Sequence, residues 1–363
     1  MLGRLASRLR HRRTGEAFGL DIGASSIKVL ELHRAATSYA VARCAVAPVP
    51  VGSVVEGSIH EPALVVEAIR RAVSIAGITR TAAVIGLCGR GLIIKKLQIP
   101  EVPIKELPDA IRIEAEHEIP FAIDEVFLDF HVIGRQNRVL DLALVAARRS
   151  KVIEHRAVVA AAGLDPVVVD VDGFALGNQL QLWARPGVTA VVDIGASMTK
   201  VSVVRDGLTQ LVRDLPAGGH GYTATIAAWR GASTETAEAI TVAGRAGGDA
   251  TINREHGLEA AAPGCEAVAQ ALGLEIQRTL DYFAASGPDQ ERVVGIVLAG
   301  GGALLAGLRE HLASMLDLPV EIARPFEELT VDPACAATVA AAGPALALAL
   351  GLSLRRPGDG TTT

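Results

Sequence analysis

The chain has 363 residues, half of them apolar, and a net charge of −5 from 35 basic and 40 acidic side chains. This length is too great for one ordinary domain and predicts two or three packed units that share a cleft. Aromatic residues make up 3% of the chain, so we expect no stacking platform for nucleic acid. The near balance of charge also argues against a global attraction to DNA or anionic lipid.

Cysteine usage and the N-terminus indicate the compartment. The four cysteines lie far apart without a CxxC pair, which argues against a zinc site or a disulfide framework and favours a reducing cytoplasm. Residues 1–16 are basic and lack the apolar core of a secretory signal, so they predict a flexible leader. Leu2, Leu5 and Leu9 can share a helix face, which leaves a membrane or partner contact as an alternative.

Residues 17–165 predict a first lobe with an insertion. Residues 17–90 read as three β-branched strands, a helix that ends near Gly77, and the strand TAAVIGLCG. From 91 to 165 the pattern changes to strand, helix, two strands and helix, which is typical of a small α+β module. The chain then returns to the first lobe over residues 166–188.

Residues 189–354 predict a second lobe, followed by a disordered tail over 355–363. Its helices begin near residue 221, and a polar, glycine-rich loop falls within a tip region at about 221–262. The stretch from Ala334 to Leu354 carries no charge and is about long enough to cross a bilayer. Because it is rich in alanine and is interrupted by Gly343 and Pro344, we expect a buried terminal helix instead.

One segment of the chain occurs twice. Asp21–Val29, DIGASSIKV, and Asp193–Val201, DIGASMTKV, are identical at seven of nine positions. Each follows an apolar strand, so the backbone amides of its small residues can converge on an anion. A single such turn is usually only a tight turn. Two near-identical copies in separate lobes predict a phosphate clamp between them.

The repeat supplies a set of candidate phosphate ligands. These are Gly23, Ala24, Ser25, Ser26 and Lys28 in the first copy, and Gly195, Ala196, Ser197, Thr199 and Lys200 in the second. Each lysine has two equal interpretations, a phosphate contact or a solvated strand position. Asp21 and Asp193 end buried strands and are candidates to hold the waters of a magnesium ion.

A third glycine-rich turn follows near the C-terminus. Gly300, Gly301, Gly302 and Ala303 lie between the strand IVLA and an amphipathic helix. Glycines at such a turn allow a flat base or a ribose to lie against bare backbone. The pattern is not GxGxxG, and neither GKS nor GKT occurs, so Rossmann and P-loop sites are disfavoured.

These three motifs resemble the two phosphate motifs and the adenosine motif of the actin, Hsp70 and sugar-kinase ATPase superfamily. The segments KLQIPEVPIKELPDAIRIEAEHEIPFAIDEVFLDFHVI and LVAARRSKVIEHRAVVAAAGLDPVVVDVD further resemble the PilM family of type IV pilus assembly proteins. The resemblance runs from about 17 to 354. It implies an α/β, actin-like (ribonuclease H-like) two-lobed ATPase fold with an inserted α+β module, and ATP and Mg²⁺ as cofactors.

The resemblance also implies partners. A PilM-like protein binds the N-terminal cytoplasmic peptide of the inner-membrane protein PilN in a groove beside the inserted module, and ATP tunes that groove through the angle between the lobes. The protein then belongs to the inner-membrane platform of the pilus, together with platform and motor components. We expect it in the cytoplasm, at the inner face of the membrane, held there through its partners.

The sequence departs from the family at the ribose site. The family carries AE followed two positions later by lysine on a second-lobe helix; here Glu238 is present, in AEAIT, but the lysine is missing. The resemblance therefore implies a ribose contact from Glu238 and leaves a lower nucleotide affinity or a lysine-free site open.

Hydrolysis has no clear signature in the sequence. Asp170 and Asp172, where the chain crosses between lobes, are candidates to orient an attacking water. Surface or capping aspartates are an equally good interpretation. No residue suggests an efficient general base, so we expect slow turnover or none.

Two other functions remain open at this stage. A sugar or acetate kinase of the same superfamily would need a polar cluster for its substrate between the lobes, which the sequence does not suggest. A division or cytoskeletal protein similar to FtsA would need an amphipathic C-terminal helix, and the tail RPGDGTTT is not one. Competence and type II secretion relatives share the same motifs and are not separated from the pilus protein.

Overall fold

A computed structural model describes residues 17–34, 38–103, 105–180, 187–243, 264–286 and 291–358. The basic leader, residues 244–262 of the predicted tip region and the last five residues lie outside these ranges, so the predictions for them are not tested. The described part contains two open β-sheets, a three-stranded sheet and a short hairpin.

Runs of strands are separated by one or more helices along the chain. The strands are β1 (Phe18–Ile22), β2 (Ser26–Arg34), β3 (Tyr39–Pro48), β4 (Val54–Val55), β5 (Ser58–Ile59), β6 (Ala82–Leu87), β7 (Leu92–Pro100), β8 (Val126–Gln136), β9 (Val139–Arg148), β10 (Asp165–Val171), β11 (Val188–Ile194), β12 (Thr199–Arg205), β13 (Leu208–Leu215), β14 (Gly295–Ala299), β15 (Val320–Ile322) and β16 (Thr330–Val331). The helices are α1 (Pro62–Ala76), α2 (Leu107–Glu118), α3 (Arg149–Ala161), α4 (Asp172–Leu180), α5 (His220–Arg230), α6 (Thr234–Ala243), α7 (Cys265–Ser286), α8 (Leu308–Leu316), α9 (Pro333–Ala342) and α10 (Ala347–Ser353).

The two main sheets share one topology. The first has the order β10-β6-β1-β2-β3-β16 and the second the order β13-β12-β11-β14-β15. In each, a strand and its two successors pair antiparallel, and a later strand pairs parallel with the first of the three. The repeated sequence segment therefore occupies the same hairpin in both sheets, β1-β2 in one and β11-β12 in the other.

Each sheet is buried on both faces. Phe18 and Leu20 in β1, and Val192 and Ile194 in β11, are fully buried, as expected for near-continuous apolar strands covered by helices. Helices α1 and α3 cover the first sheet, while α5, α7 and α8 contribute to the core of the second. Helix α1 ends where the sequence predicts, because Gly77 adopts a left-handed conformation with φ of 64°.

The inserted module forms a separate sheet with the order β7-β9-β8. One face of β9, formed by alternate residues Leu140, Leu142 and Leu144, is buried against Ile111 and Ala115 of α2. This alternation is the expected pattern for a half-covered antiparallel strand. The module has its own small core, as its change in sequence pattern predicts.

The C-terminal segment corrects the sequence-based division of the chain. Residues 189–354 were expected to form the second lobe, but β16 pairs with β3 and α10 packs on β1, β2 and α4. Residues from β16 to α10 therefore return to the first sheet. Pro333–Ser353 is apolar enough to cross a bilayer by length and composition, yet a 3-10 turn at Gly343–Leu346 interrupts it and α10 is buried in the core. Helix α10 is therefore a core helix, whereas α9 buries only Cys335 among its residues.

We expect Gly351→Ala to destabilise the protein by about 2 kcal/mol or more, since overpacking of this kind is costly. A Cβ at position 351 would lie 1.9 Å from the carbonyl oxygen of Ala175, where α10 meets α4. Gly343→Ala is the matched control, because its Cβ would meet only Phe326, at 3.8 Å. Urea unfolding of both variants measures the difference, and equal stabilities would contradict this packing.

Candidate functional site

The two repeated segments form the same turn. The amide of Gly23 donates to the carbonyl of Ser26 at 3.1 Å, and the amide of Gly195 donates to the carbonyl of Met198 at 2.9 Å. A Cβ would lie 2.8 Å from the Ser26 oxygen in the first turn and 2.9 Å from the Met198 oxygen in the second. Glycine is therefore required at both positions, and each tip presents an alanine and a serine.

Each hairpin also holds one lysine against its aspartate. Asp21 faces Lys28 across the strands, with 2.9 Å between Oδ2 and Nζ. Asp193 faces Lys200 in the same register, with 3.0 Å between the same atoms. Lys200 also lies 3.3 Å from Oδ2 of Asp172, so one ammonium is shared by two buried carboxylates.

Both hairpins line one cleft. Fifteen of the seventeen predicted cofactor ligands contribute to its wall: Asp21, Gly23, Ala24, Ser25, Ser26, Lys28, Asp193, Gly195, Ala196, Ser197, Lys200, Glu238, Gly300, Gly301 and Gly302. The opposed arrangement that a two-sided phosphate clamp requires is therefore present.

Two predicted ligands, Thr199 and Ala303, do not line the cleft. Successive residues of a strand point to opposite faces, so Lys200 and Thr199 cannot both face the cleft. Thr199 is fully buried and donates to the carbonyl of Ala217 at 2.8 Å, while Met198 lines the cleft in its place. Ala303 is buried in the core of the second lobe.

The third glycine turn packs directly on the second hairpin. Gly300 has φ of 81°, and a Cβ there would lie 2.4 Å from the Ile194 oxygen and 2.7 Å from Oδ1 of Asp193. A Cβ at Gly302 would lie 2.3 Å from Cγ2 of Ile194. This wall of the cleft is therefore bare backbone, as the sequence predicts for a surface that faces a base or a ribose.

A second glycine contact was missed by the sequence analysis. The amides of Gly219 and His220 donate to the carbonyls of Gly195 and Ala196 at 2.9 and 2.8 Å. A Cβ at Gly218 would lie 2.5 Å from the Gly195 oxygen. The start of α5 therefore fixes the second turn from behind, and the glycine pair just before the helix was the available signal.

The candidate catalytic aspartates lie behind the cleft wall. Asp170 is buried and bonded to Arg355, with 2.7 Å between Oδ2 and Nε. Asp172 lies beneath Lys200; burial raises its pKa to about 6, although the Lys200 ammonium opposes the shift. Neither is part of the cleft lining. Both carboxylates are buried and paired with a cation, so they are not the surface aspartates that the sequence left as one alternative.

The residues present fit a magnesium ion only in part. Within the described ranges, no three His, Cys, Asp or Glu side chains are grouped to hold a metal. Asp21 and Asp193 each give Oδ2 to a lysine. A metal between them would therefore depend on phosphate oxygens and water for most of its coordination, as Mg²⁺ commonly does.

The first lobe reaches the second hairpin through the turn between β4 and β5. The Glu56 amide donates to Oγ of Ser197 at 3.3 Å. The adjacent carbonyl of Gly57 accepts from Nζ of Lys151 at 2.5 Å. Below it, the Gly89 amide donates to Oδ2 of Asp214, at the end of β13, at 2.5 Å. The turn between β4 and β5 thus contacts the second repeated hairpin on one side and α3 on the other.

Lys151 also lines a groove beside the inserted module. The groove is bounded by Ser58, Arg90, Gly91, Phe121, Arg148, Ser150, Lys151 and Glu154. The Arg148 guanidinium stacks on the ring of Phe121, 4.2 Å from its centroid. The groove therefore combines an aromatic surface with basic side chains, where the module meets the first lobe.

Fold and cleft define an actin-like, two-lobed protein. The structure of ethanolamine utilization protein EutJ from Carboxydothermus hydrogenoformans aligns at a TM-score of 0.54 and 17% identity, over 94% of this chain and 92% of that one. MreB5 of Spiroplasma citri bound to ADP aligns at 0.50 and 11%, over 93% and 94%. These similarities confirm the predicted actin-like α/β fold.

The family is shown by a stronger match. The sequence model for type IV pilus assembly protein PilM covers residues 19–357. A chain of a solved PilM-PilN type IV pilus biogenesis complex aligns at a TM-score of 0.81 and 31% identity, over 94% of this chain and 98% of that one. The chain belongs to the PilM family of type IV pilus assembly proteins, as its motifs indicated.

We expect Lys200→Met to cost about 3 kcal/mol of unfolding free energy, since removing one partner of a buried ion pair leaves uncompensated charge. Lys28→Met is the matched control; it leaves one carboxylate instead of two, at a more exposed site, with 13% of the lysine side chain exposed against 9%. Chemical denaturation of both variants makes the comparison. If Lys28→Met lost as much unfolding free energy as Lys200→Met, or more, the conclusion that Lys200 compensates more buried charge would be contradicted.

Proposed function

We propose that this protein is an ATP-binding cytoplasmic scaffold of the type IV pilus inner-membrane platform, and that it captures the N-terminal cytoplasmic peptide of PilN. The observation that carries the ATP site is the placement of both repeated hairpins and the bare Gly300–Gly302 turn around one cleft. The membership of the PilM family supports the pilus role.

In this proposal the triphosphate lies between the two serine-bearing tips. Backbone amides at the tips and the hydroxyls of Ser25, Ser26 and Ser197 would donate to phosphate oxygens. Lys28 and Lys200 offset part of the charge of Asp21, Asp193 and Asp172 and so reduce the repulsion of an anion. When bound, Mg²⁺ would neutralise phosphate charge, with water-mediated support from Asp21 and Asp193.

We expect hydrolysis to be slow or absent. The two aspartates considered for water positioning are engaged by Arg355 and Lys200. Positioning of a nucleophile supplies much of phosphoryl-transfer catalysis. The nucleotide is then a conformational ligand of the scaffold.

The groove beside the inserted module is the proposed PilN site. A similar chain has been solved in a complex with PilN, and the groove offers Phe121 and Arg148 for pocketed side chains. Short extended peptides commonly bind through such pockets together with backbone hydrogen bonds. PilN binding would hold the protein at the inner face of the membrane, near the other platform and motor components.

The turn at Glu56 and Gly57 offers a route between the two sites. It bonds Ser197 in the nucleotide cleft and Lys151 in the groove. A bound nucleotide that draws the second hairpin inward would move Ser197 and, with it, the turn at Glu56 and Gly57. Lys151, which is bonded to this turn, would then shift in the groove. Such coupling requires that ATP binds the two states with different affinities.

The nucleotide site is tested by Ala196→Asp, which places a carboxylate at the tip of the second hairpin. We expect Mg-ATP to bind at least about tenfold more weakly, because like charges meet at close range in a partly buried site. Isothermal titration calorimetry measures the affinity. Ala63→Asp, at an exposed first turn of α1 outside the cleft, is the control with the same added charge. Unchanged binding in the Ala196 variant would sink the proposed cleft.

The route between the sites is tested by Lys151→Met. In the wild-type protein, the affinities for the PilN peptide with and without Mg-ATP should differ by about fivefold or more, a typical coupling. In the Lys151→Met variant, the ratio of these two affinities should be close to one. ATP affinity without peptide should change less than peptide affinity does, since Lys151 does not line the nucleotide cleft and touches its wall only through Gly57. Lys95→Met, which removes an exposed lysine of the inserted module, is the control. If Mg-ATP changed peptide affinity as much in the Lys151 variant as in the wild-type protein, this route would be excluded.

A further inference from the structure

One carboxylate of the nucleotide cleft is held by a buried hydroxyl on the neighbouring helix. Glu238, on α6, lines the cleft. Its Oε2 accepts a hydrogen bond from Oγ1 of Thr223, on α5, at 2.7 Å. Thr223 is 1% exposed, so its hydroxyl has no access to water and a charged acceptor is its natural partner.

The hydroxyl has one hydrogen to donate, and Glu238 is the better acceptor. The alternative, the carbonyl of Gly219 in the preceding turn, lies at 3.4 Å, which is long for a hydrogen bond from a hydroxyl. Gly219 itself is bonded through its amide to Gly195 in the second hairpin. Glu238 is therefore connected through α5 to the turn that faces the phosphates.

No cation takes this role among the residues that line the cleft. Its ammonium groups are those of Lys28 and Lys200, and each is bonded to an aspartate. Thr241, one turn after Glu238, also lines the cleft, but its hydroxyl donates to the carbonyl of Ala237 at 2.8 Å. The lysine expected after Glu238 is thus absent, and Thr223 is the group that orients the carboxylate.

We propose that Thr223 is a positioning residue for ribose recognition. By holding Oε2, it leaves Oε1 of Glu238 oriented to accept a hydrogen bond from a sugar hydroxyl of the nucleotide. A site built to pair with a hydroxyl binds the analogue that lacks it more weakly, because the half-buried Glu238 carboxylate then loses that partner. The inference rests on the proposed ATP site and adds to it the feature by which ribose is distinguished from deoxyribose.

The test compares dissociation constants of Mg-ATP, 2′-deoxy-ATP and 3′-deoxy-ATP, measured by calorimetry. The wild-type protein should bind one of the two deoxy analogues at least about tenfold more weakly than ATP, the scale of a charged hydrogen bond. In Thr223→Val, the dissociation constants of that analogue and of ATP should differ by no more than about threefold, because only the binding of ATP is weakened. Thr223→Ser should restore the wild-type ratio, since it keeps the hydroxyl.

Thr225→Val is the matched control on the same helix. Its hydroxyl donates within α5, to the carbonyl of Gly221 at 2.8 Å, so its loss should leave the ratio unchanged. Thr223→Ala gives the same comparison should the valine variant not fold. A double-mutant cycle with Glu238→Ala should show that the two substitutions are not additive, since they remove one contact.

The outcomes separate this inference from the proposed function. ATP binding without discrimination in the wild-type protein, or full discrimination in the Thr223→Val or Thr223→Ala variant, would overturn the role of Thr223 and leave the ATP site standing. Absence of ATP binding by the wild-type protein would overturn the proposed function and this inference together.

Discussion

The structure depends on direct backbone contact around the second hairpin. Gly195 closes the turn, Gly218 meets it from the start of α5, and Gly300 and Gly302 meet it from the end of β14. A side chain at any of these four positions would collide with the hairpin. This packing brings three separate chain segments to one wall of the cleft. Backbone amides on that wall can approach an anion closely, because glycines have no side chain in the way.

Charge balance is the second requirement of the cleft. Three buried aspartates, Asp21, Asp172 and Asp193, share two lysines. Burial raises the pKa of Asp172. Burial by itself would lower the pKa of Lys200, but the two carboxylates beside it hold that pKa well above its usual value. The lysines therefore have a role in the fold itself, whether or not they also contact phosphate.

The lobes are joined by polar contacts near the cleft and by an apolar cluster that includes Val84 of β6 and Val191 of β11. Glu56 and Gly89 in the first lobe donate backbone hydrogen bonds to Ser197 and Asp214 in the second. Bonds of this kind can exchange partners at small energetic cost, since each contributes about 1 kcal/mol net. The proposed response to nucleotide would require these polar contacts to rearrange, while the apolar cores inside the two lobes stay intact.

The sequence by itself determined the two hairpins, the third glycine turn, the inserted module and the family. These features depend on local residue pattern, and the repeat of DIGAS indicated without coordinates that two matching hairpins would line one cleft. Only the tertiary structure decided that Thr199 points away from the cleft, that β16 and α10 rejoin the first sheet, and that Thr223 meets Glu238. The physical reason is that these outcomes depend on which side of a strand faces a neighbour and which distant elements pack together, and neither is encoded in the spacing of residues along the chain.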